Sequence, residues 1–144
     1  MALKMRFLYY SSKAKVKNMA ELVKTEFDLA QNHNAIDIIP PAYGCEKERL
    51  VIIAVSGKGE PDDVLRRFCL ELNKNNANNV AVLVDGDEKM GAKLVEALTE
   101  AGTNVYPDVL YFKVGGLPFL GGKLNDDEKS KLFTWINKAI ENLK

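Results

Sequence analysis

The chain has 144 residues, of which 47% are hydrophobic and 28% charged, and this composition describes one globular domain with its own core rather than a disordered chain. Its 20 basic and 20 acidic residues cancel, so no overall charge would attract nucleic acid or an anionic membrane. From this length we expect a single domain over residues 1–144. Two cysteines do not make a disulfide framework, and the broken apolar stretch at the start resembles neither a signal peptide nor a membrane span. We therefore expect the protein in the cytoplasm.

Five short apolar runs, rich in β-branched or aromatic residues, predict five strands. They cover residues 5–10, 36–39, 50–55, 80–84 and 109–114. Apolar residues at helical spacing follow the first, third, fourth and fifth runs. These positions are Val16, Met19, Ala20, Val23, Phe27 and Ala30; Val64, Leu65, Phe68, Cys69 and Leu72; Met90, Leu94, Leu98 and Ala101; and Leu132, Phe133, Ile136, Ile140 and Leu143. Asn125 with Glu128 predicts a capped start of the last helix, and Pro61 fits the first turn of the second.

Strands that are apolar almost throughout are covered on both faces, and their alternation with helices implies right-handed crossovers in a parallel sheet. The predicted fold is therefore a three-layer α/β fold, with helices on both faces of a five-stranded parallel sheet. Residues 40–49, PPAYGCEKER, are rich in turn formers, so the second and third strands are joined by a loop or one very short helix. The polar residues 73–79 are predicted to form a solvated turn.

Three loops are candidates for a ligand site, because open parallel sheets bind ligands outside the carboxyl ends of their strands. They contain YSSKAKVKN after the first strand, SGKGEPDD after the third and DGDEKMG after the fourth. In the first, Ser11 and Ser12 precede a helix whose free backbone N–H groups favour an anion such as phosphate. Lys13, Lys15 and Lys17 are unfavourable at a helix N-terminus unless an anion compensates them. The alternative is a solvated basic turn with Ser12 as an N-cap.

The second and third loops also have two interpretations. Gly57 and Gly59 permit positive φ and the close approach of a ligand to the main chain, or they simply form a strand-to-helix turn. Asp85, Gly86 and Asp87 are either part of the same site or a turn whose carboxylates cap the next helix.

Several other chemistries are excluded by residue type. The segment GGLPFLGGK at 115–123 lacks the Lys and Ser or Thr positions of a nucleotide-binding P-loop. His33, the single histidine, is predicted to lie in a solvated turn, and Cys69 is predicted to be inert core. Cys45 has no neighbouring histidine to activate it, so no nucleophile, base and orienting group can be assembled.

The order of these segments resembles the flavodoxin family over nearly the whole chain. The resemblance rests on the serine-containing first loop, MAE at 19–21, GKGEPDD after the third strand, a GD turn after the fourth, and LPFLGGKL before the last helix. It implies a sheet of order 2-1-3-4-5 and an FMN cofactor lying across the strand ends. The implied phosphate-binding residues are Ser11, Ser12, Lys13, Ala14, Lys15 and Val16, and those bracketing the isoalloxazine are Ser56, Gly57, Lys58, Gly59, Asp85, Gly86 and Asp87.

The chain departs from that family at the phosphate loop. The family pattern is approximately (T/S)xTGxT, whereas only the first hydroxyl position, Ser11, is kept here, and lysines stand nearby. The leading hypothesis is an FMN protein that transfers electrons to or from a redox partner, rather than a substrate-specific enzyme. The alternative is a cofactor-free binding or regulatory module of the same fold, which recognises another phosphorylated ligand or a protein.

Overall fold

The computed structural model describes residues 5–10, 14–27, 33–35, 49–57, 59–73, 77–112 and 124–143. In these ranges strands and helices alternate along most of the chain. In chain order they are β1 Met5–Tyr10, α1 Ala14–Phe27, β2 His33–Ala35, β3 Leu50–Gly57, α2 Asp63–Glu71, β4 Asn79–Gly86, α3 Glu88–Ala101, β5 Asn104–Val105, β6 Leu110–Phe112 and α4 Asp126–Glu141. None of the helices in the described part of the chain is long and apolar enough to cross a membrane.

The sheet is parallel, and its order is β2-β1-β3-β4-β5, with β6 pairing to β4 as well. The predicted α/β class and the predicted order 2-1-3-4-5 are confirmed. The fifth position of the sheet differs from the prediction, because two short strands, β5 and β6, both pair with β4 there. The predicted fifth strand corresponds to β6, and β5 is an additional strand. Pro107 lies between them and has no N–H for the ladder. The carbonyl of Asp108 instead accepts the indole N–H of Trp135 at 2.7 Å, which holds this connection on α4.

Two polar segments differ from their predicted states. His33 pairs with Phe7 as the first residue of β2, so the prediction that it lies in a solvated turn is wrong. The predicted second strand at 36–39 falls outside the described residues. Asn79 begins β4 and is buried. Its side-chain amide donates to the carbonyl of Arg49 at 3.0 Å, so this polar group is satisfied in the core. The predicted turn at 73–79 therefore ends before Asn79.

The core lies on both faces of the sheet, as predicted from the apolar strands. Along β3, Ile52 and Ala54 face the layer formed by α1 and α4, whereas Val51, Ile53 and Val55 face α2 and α3. The buried members from the helices are Val16, Met19, Ala20, Val23, Leu132, Trp135, Ile136 and Ala139 on the first face, and Leu65, Phe68, Cys69, Met90, Leu94, Ala97 and Leu98 on the second. The three-layer arrangement follows from this packing.

The helix boundaries show how local signals acted. Asn125 caps α4, and Glu128 returns a hydrogen bond to its backbone, so the predicted capping box is confirmed. Asp62 caps α2, which places Pro61 one residue before the cap rather than in the first turn. Val64, which the helical spacing places in the buried stripe of this helix, is 52% exposed, because it lies at the edge of the stripe whose buried members are Leu65, Phe68 and Cys69. Ala30 lies outside the described residues.

Replacing Asn125 with Ala should lower the free energy of unfolding by about 1 kcal/mol, because the side chain satisfies an orphan N–H at the start of α4. Urea denaturation monitored by circular dichroism measures this change. Asn125→Ser is the matched control, since serine keeps an acceptor at the cap and should retain most of the stability. Equal stability of the Ala variant and the parent would show that the capping box contributes nothing.

Candidate functional site

The carboxyl ends of β3 and β4 bring the predicted second and third loops together. The two strands stay in register up to the pairs Ser56↔Asp85 and Gly57↔Gly86. Four of the predicted site residues therefore belong to the sheet itself rather than to a loop. Asp85 is 1% exposed within β4, so the interpretation of this residue as a helix-capping turn residue is wrong. The ladder extends further than the apolar pattern because backbone hydrogen bonds do not depend on side-chain polarity.

The first predicted loop is described only in part. Ser11, Ser12 and Lys13 lie outside the described residues, as does Lys58 in the second loop. Ala14 and Lys15 begin α1, so the loop leads directly into a helix N-terminus. The side chain of Val16 is buried in the core and could contribute only its backbone to a ligand.

The contact between Gly57 and Gly86 requires a glycine at position 86. A Cβ at that position would overlap the carbonyl oxygen of Gly57. Gly57 itself has φ +146°, a conformation that side chains rarely adopt. The carbonyl of Gly57 is thus packed against the main chain of β4, and this close approach fixes where the chain leaves β3.

Asp87 joins the second loop to α3. Its Oδ1 accepts the backbone N–H of Met90 at 3.0 Å and so caps the helix. The same carboxylate accepts the N–H of Gly59, at 3.0 Å to Oδ1 and 3.1 Å to Oδ2. A second link, between Glu60 and Lys93 at 4.0 Å, is largely exposed and contributes little. Asp87 is therefore the main connection between these two segments.

A similar link joins β1 to α2, and its residues were missed in the sequence. Asp62 caps α2 through Oδ1, which accepts the N–H of Leu65 at 2.9 Å. Its Oδ2 accepts the hydroxyl of Tyr10 at 2.5 Å. The position of Asp62 just before an apolar helical pattern is a capping signal that could have been used, whereas the partner Tyr10, 52 residues away, carries no local signal.

Tyr111 places a second aromatic ring near this edge, beside the first turns of α3. A Cβ at Gly91 would overlap the Tyr111 hydroxyl, so this helical glycine makes room for the ring. Burial raises the pKa of Tyr111, and the negative charges of Glu88 and then Asp87 raise it further. The phenol therefore stays protonated at neutral pH. The predicted second and third loops contain no aromatic residue, but Tyr10 at the end of β1 and Tyr111 in β6 lie next to them.

The charges at the four helix N-termini are unequal. The first turns of α2, α3 and α4 carry acidic residues, namely Asp63, Glu88, and Asp126 with Asp127 and Glu128. The first turn of α1 contains none. Among these described helices, α1 therefore has the N-terminal dipole that its own carboxylates do not offset.

Other reactive groups are absent from this edge in the part of the chain that the structure describes. Cys69 is fully buried on α2, as predicted, and burial raises the pKa of its thiol to about 12, so it is not a nucleophile. No group of three or more potential metal ligands occurs among the described residues. Cys45 and the segment 115–123 lie outside them. Two cavities, of about 430 and 260 Å³, lie elsewhere, against α4 and the β5–β6 connection.

Comparison of the whole chain with solved structures decides the fold. Flavodoxin 2 from Bacillus cereus, in its oxidised form, superposes with a TM-score of 0.72 at 18% identity, covering 97% of this chain and 99% of that one. Oxidised flavodoxin 1 from the same organism gives a TM-score of 0.67 at 17% identity, with the same coverage. The chain has the flavodoxin fold.

A short-chain flavodoxin associated with a bacterial microcompartment also superposes on this flavodoxin-like chain, with a TM-score of 0.69 at 12% identity over 100% of both chains. No protein-family model matches the sequence, and no curated protein matches it significantly. The likeness is therefore one of three-dimensional structure, and the recognition made from the sequence is confirmed at the level of a flavodoxin-like domain.

Gly86→Ala should destabilise the protein by about 1–3 kcal/mol, the usual cost of forcing a group into filled space, because the new methyl would overlap the Gly57 carbonyl. Thermal and urea denaturation measure the loss. Gly102→Ala is the control for backbone strain without crowding, since Gly102 has φ +99° but no atom within 4 Å of an added Cβ. If Gly86→Ala matched the parent in stability and in the amide shifts around Gly57, the close contact would be disproved.

The buried thiol predicts a loss of stability at alkaline pH. The folded protein holds the Cys69 proton to about pH 12, whereas the ordinary value is 9.0, so the unfolded chain releases it first. The contribution of this raised pKa to the free energy of unfolding is complete below pH 9 and is lost as the pH rises toward 12. Urea midpoints measured between pH 8 and about 10.5 should fall less steeply for Cys69→Ala than for the parent. Parallel slopes would show that the thiol titrates alike in both states.

Proposed function

We propose that the protein binds FMN and transfers electrons to or from a redox partner protein. The observation that carries this proposal is the carboxyl edge of a flavodoxin-type sheet, where the N-terminus of α1, without acidic residues in its first turn, lies beside the glycine-rich ends of β3 and β4. The free N–H groups of the α1 N-terminus suit a phosphate. The glycine-rich strand ends suit a flat ring, because it can approach their backbone closely. Flavodoxins, which the sequence resembles, use this edge in that way.

The residues present fit the two parts of FMN. The phosphate would be held by residues 11–16, where backbone N–H groups and lysine ammonium groups supply positive charge. Beside the second loop, an added Cβ at Gly59 would have no atom within 4 Å, so space is open next to its backbone. Bound FMN would supply the electron-transfer chemistry, since flavins carry the redox centre themselves.

The chain's own residues would bind and orient this cofactor. Gly59 has φ +78° and could turn its carbonyl toward the ring at little cost, because glycine tolerates both backbone orientations. Gly57 and Gly86 would form the rigid floor of the site through their close contact. Ser56 and Lys58 would complete the ring side, and Asp85, which is buried within β4, could contribute only its backbone.

A cofactor-free binding module remains the second candidate, and a specific observation favours it. The phosphate loop has Lys13, Ala14 and Lys15 where the family pattern has Thr or Ser and Gly. Lysines can hold a phosphate as point charges, but they do not require a flavin attached to it. We propose that the protein has no nucleic-acid or membrane partner, because its basic and acidic residues are equal in number, and that it works in the cytoplasm, because its two cysteines form no disulfide framework pattern.

FMN titration tests the proposal and separates the two candidates. The purified protein should be yellow, and added FMN should lose its fluorescence on binding. Lys13→Glu with Lys15→Glu should weaken FMN binding, most clearly at low salt, because charge–phosphate attraction is screened over about 10 Å at 0.1 M ionic strength. The matched control is Lys24→Glu with Lys138→Glu, which makes the same charge change at the last turns of α1 and α4, at the opposite edge of the sheet.

Unchanged affinity in the Lys13 and Lys15 variant would move the phosphate elsewhere. Complete failure of the parent to bind FMN would overturn the proposed function in favour of the cofactor-free module.

A further inference from the structure

Asp87 does more than a helix cap requires. An N-cap side chain satisfies one orphan N–H of its helix, and the 3.0 Å bond from Met90 to Oδ1 does this. The N–H of Gly59, 28 residues earlier in the chain, reaches both oxygens of the same carboxylate. Hydrogen bonds to a charged acceptor are roughly twice as strong as those between neutral groups. The loop after β3 is thus fastened to α3 by a strong contact.

Among the N-caps that the structure describes, this link is particular to Asp87. Asp62 gives its second oxygen to Tyr10, at the end of β1. The side chain of Asn125 accepts the N–H of Glu128, a residue of its own helix. Among these three caps, Asp87 is the one that binds the main chain of a neighbouring loop.

The link leaves one part of the loop free to reorient. Before it, the carbonyl of Gly57 is packed against Gly86. At Gly59 the N–H is held, φ is +78° and no atom lies within 4 Å of an added Cβ. The carbonyl of Gly59 belongs to the next peptide, which is not the one whose N–H binds Asp87. Rotation at this glycine can therefore occur without releasing the loop from α3.

We propose that Asp87 is a positioning residue for the flavin ring: its carboxylate fixes the N–H of Gly59 on the N-terminal turn of α3, so that only the following peptide reorients when the flavin is reduced. This role rests on the proposed function. In this role Asp87, which belongs to the third predicted loop, acts through the second loop: it fixes the position of that loop and does not itself contact the ring. The geometry also explains the length of this side chain, because its acceptor oxygen must reach two N–H groups on different segments.

The first experiment measures amide hydrogen exchange by NMR in the protein without flavin. In Asp87→Ser the shorter side chain can still cap α3 but cannot reach Gly59. Exchange at Gly59 should accelerate roughly tenfold or more, in keeping with the loss of a charge-assisted bond, while exchange at Met90 stays close to that of the parent. Asp87→Asn keeps an acceptor of the same reach and should restore most of the protection. Asn125→Ser is the matched cap control and should leave Gly59 unchanged.

The second experiment is a dithionite titration of the FMN-loaded protein. Without the link, the loop conformation that accompanies reduction should form less readily. A tenfold fall in the equilibrium constant for forming it lowers the first one-electron potential by about 59 mV. Asp87→Ser should show this shift while its affinity for oxidised FMN changes little, Asp87→Asn should recover it, and Asn125→Ser should not shift. A merely structural role would lower stability without moving the potential.

The outcomes separate this role from the proposed function. FMN binding by the parent with an unchanged potential in Asp87→Ser, or unchanged exchange at Gly59, would overturn the positioning role alone. Failure of the parent to bind FMN would overturn the proposed function and the positioning role with it.

Discussion

The continuous pairing of β3 with β4 is the constraint on which the rest of this structure depends. Both strands are buried on both faces, and their ladder runs without interruption from Val51↔Val80 to Gly57↔Gly86. A parallel register of this length makes the two strands end at the same level, so the chain must leave both at one edge. Only glycines allow the main chains to approach so closely at that end. The site is therefore a consequence of how far the sheet extends.

Carboxylates then fasten each exit to a helix. Asp62 joins α2 to Tyr10 of β1, and Asp87 joins α3 to the loop at Gly59. These side chains satisfy helix N–H groups that would otherwise attract an external anion, and α2 and α3 carry further acidic residues in their first turns. The same edge thus combines two helices that supply their own negative charge with α1, whose first turn supplies none. Of these three helix N-termini, that of α1 is therefore the one at which an external anion would meet no acidic residue of the helix's own first turn.

Most of the fold could be predicted because apolar periodicity reports burial, and burial on both faces of parallel strands leaves few topologies. The capping box at Asn125 is equally local and was predicted. Features set by distant partners could not be found in this way. Val64 fits the helical period but faces solvent at a helix start, Asp85 is polar yet buried in the ladder, and the partners Tyr10 and Asp62 are far apart in sequence. The residues of the candidate site were predicted as three loops, whereas the link through Asp87 joins residues 28 positions apart and therefore has no local signal.

The broken fifth position of the sheet has a consequence for behaviour at high concentration. A long, flat edge strand offers a row of unpaired backbone groups on which another molecule can grow a shared sheet. Among the residues that the structure describes, that edge consists of two residues of β5 and three of β6, separated by a turn at Pro107 that Trp135 holds against α4. An incoming strand would meet an interrupted row of donors and acceptors and a proline with no N–H to offer. This side of the molecule is thereby protected against edge-to-edge aggregation.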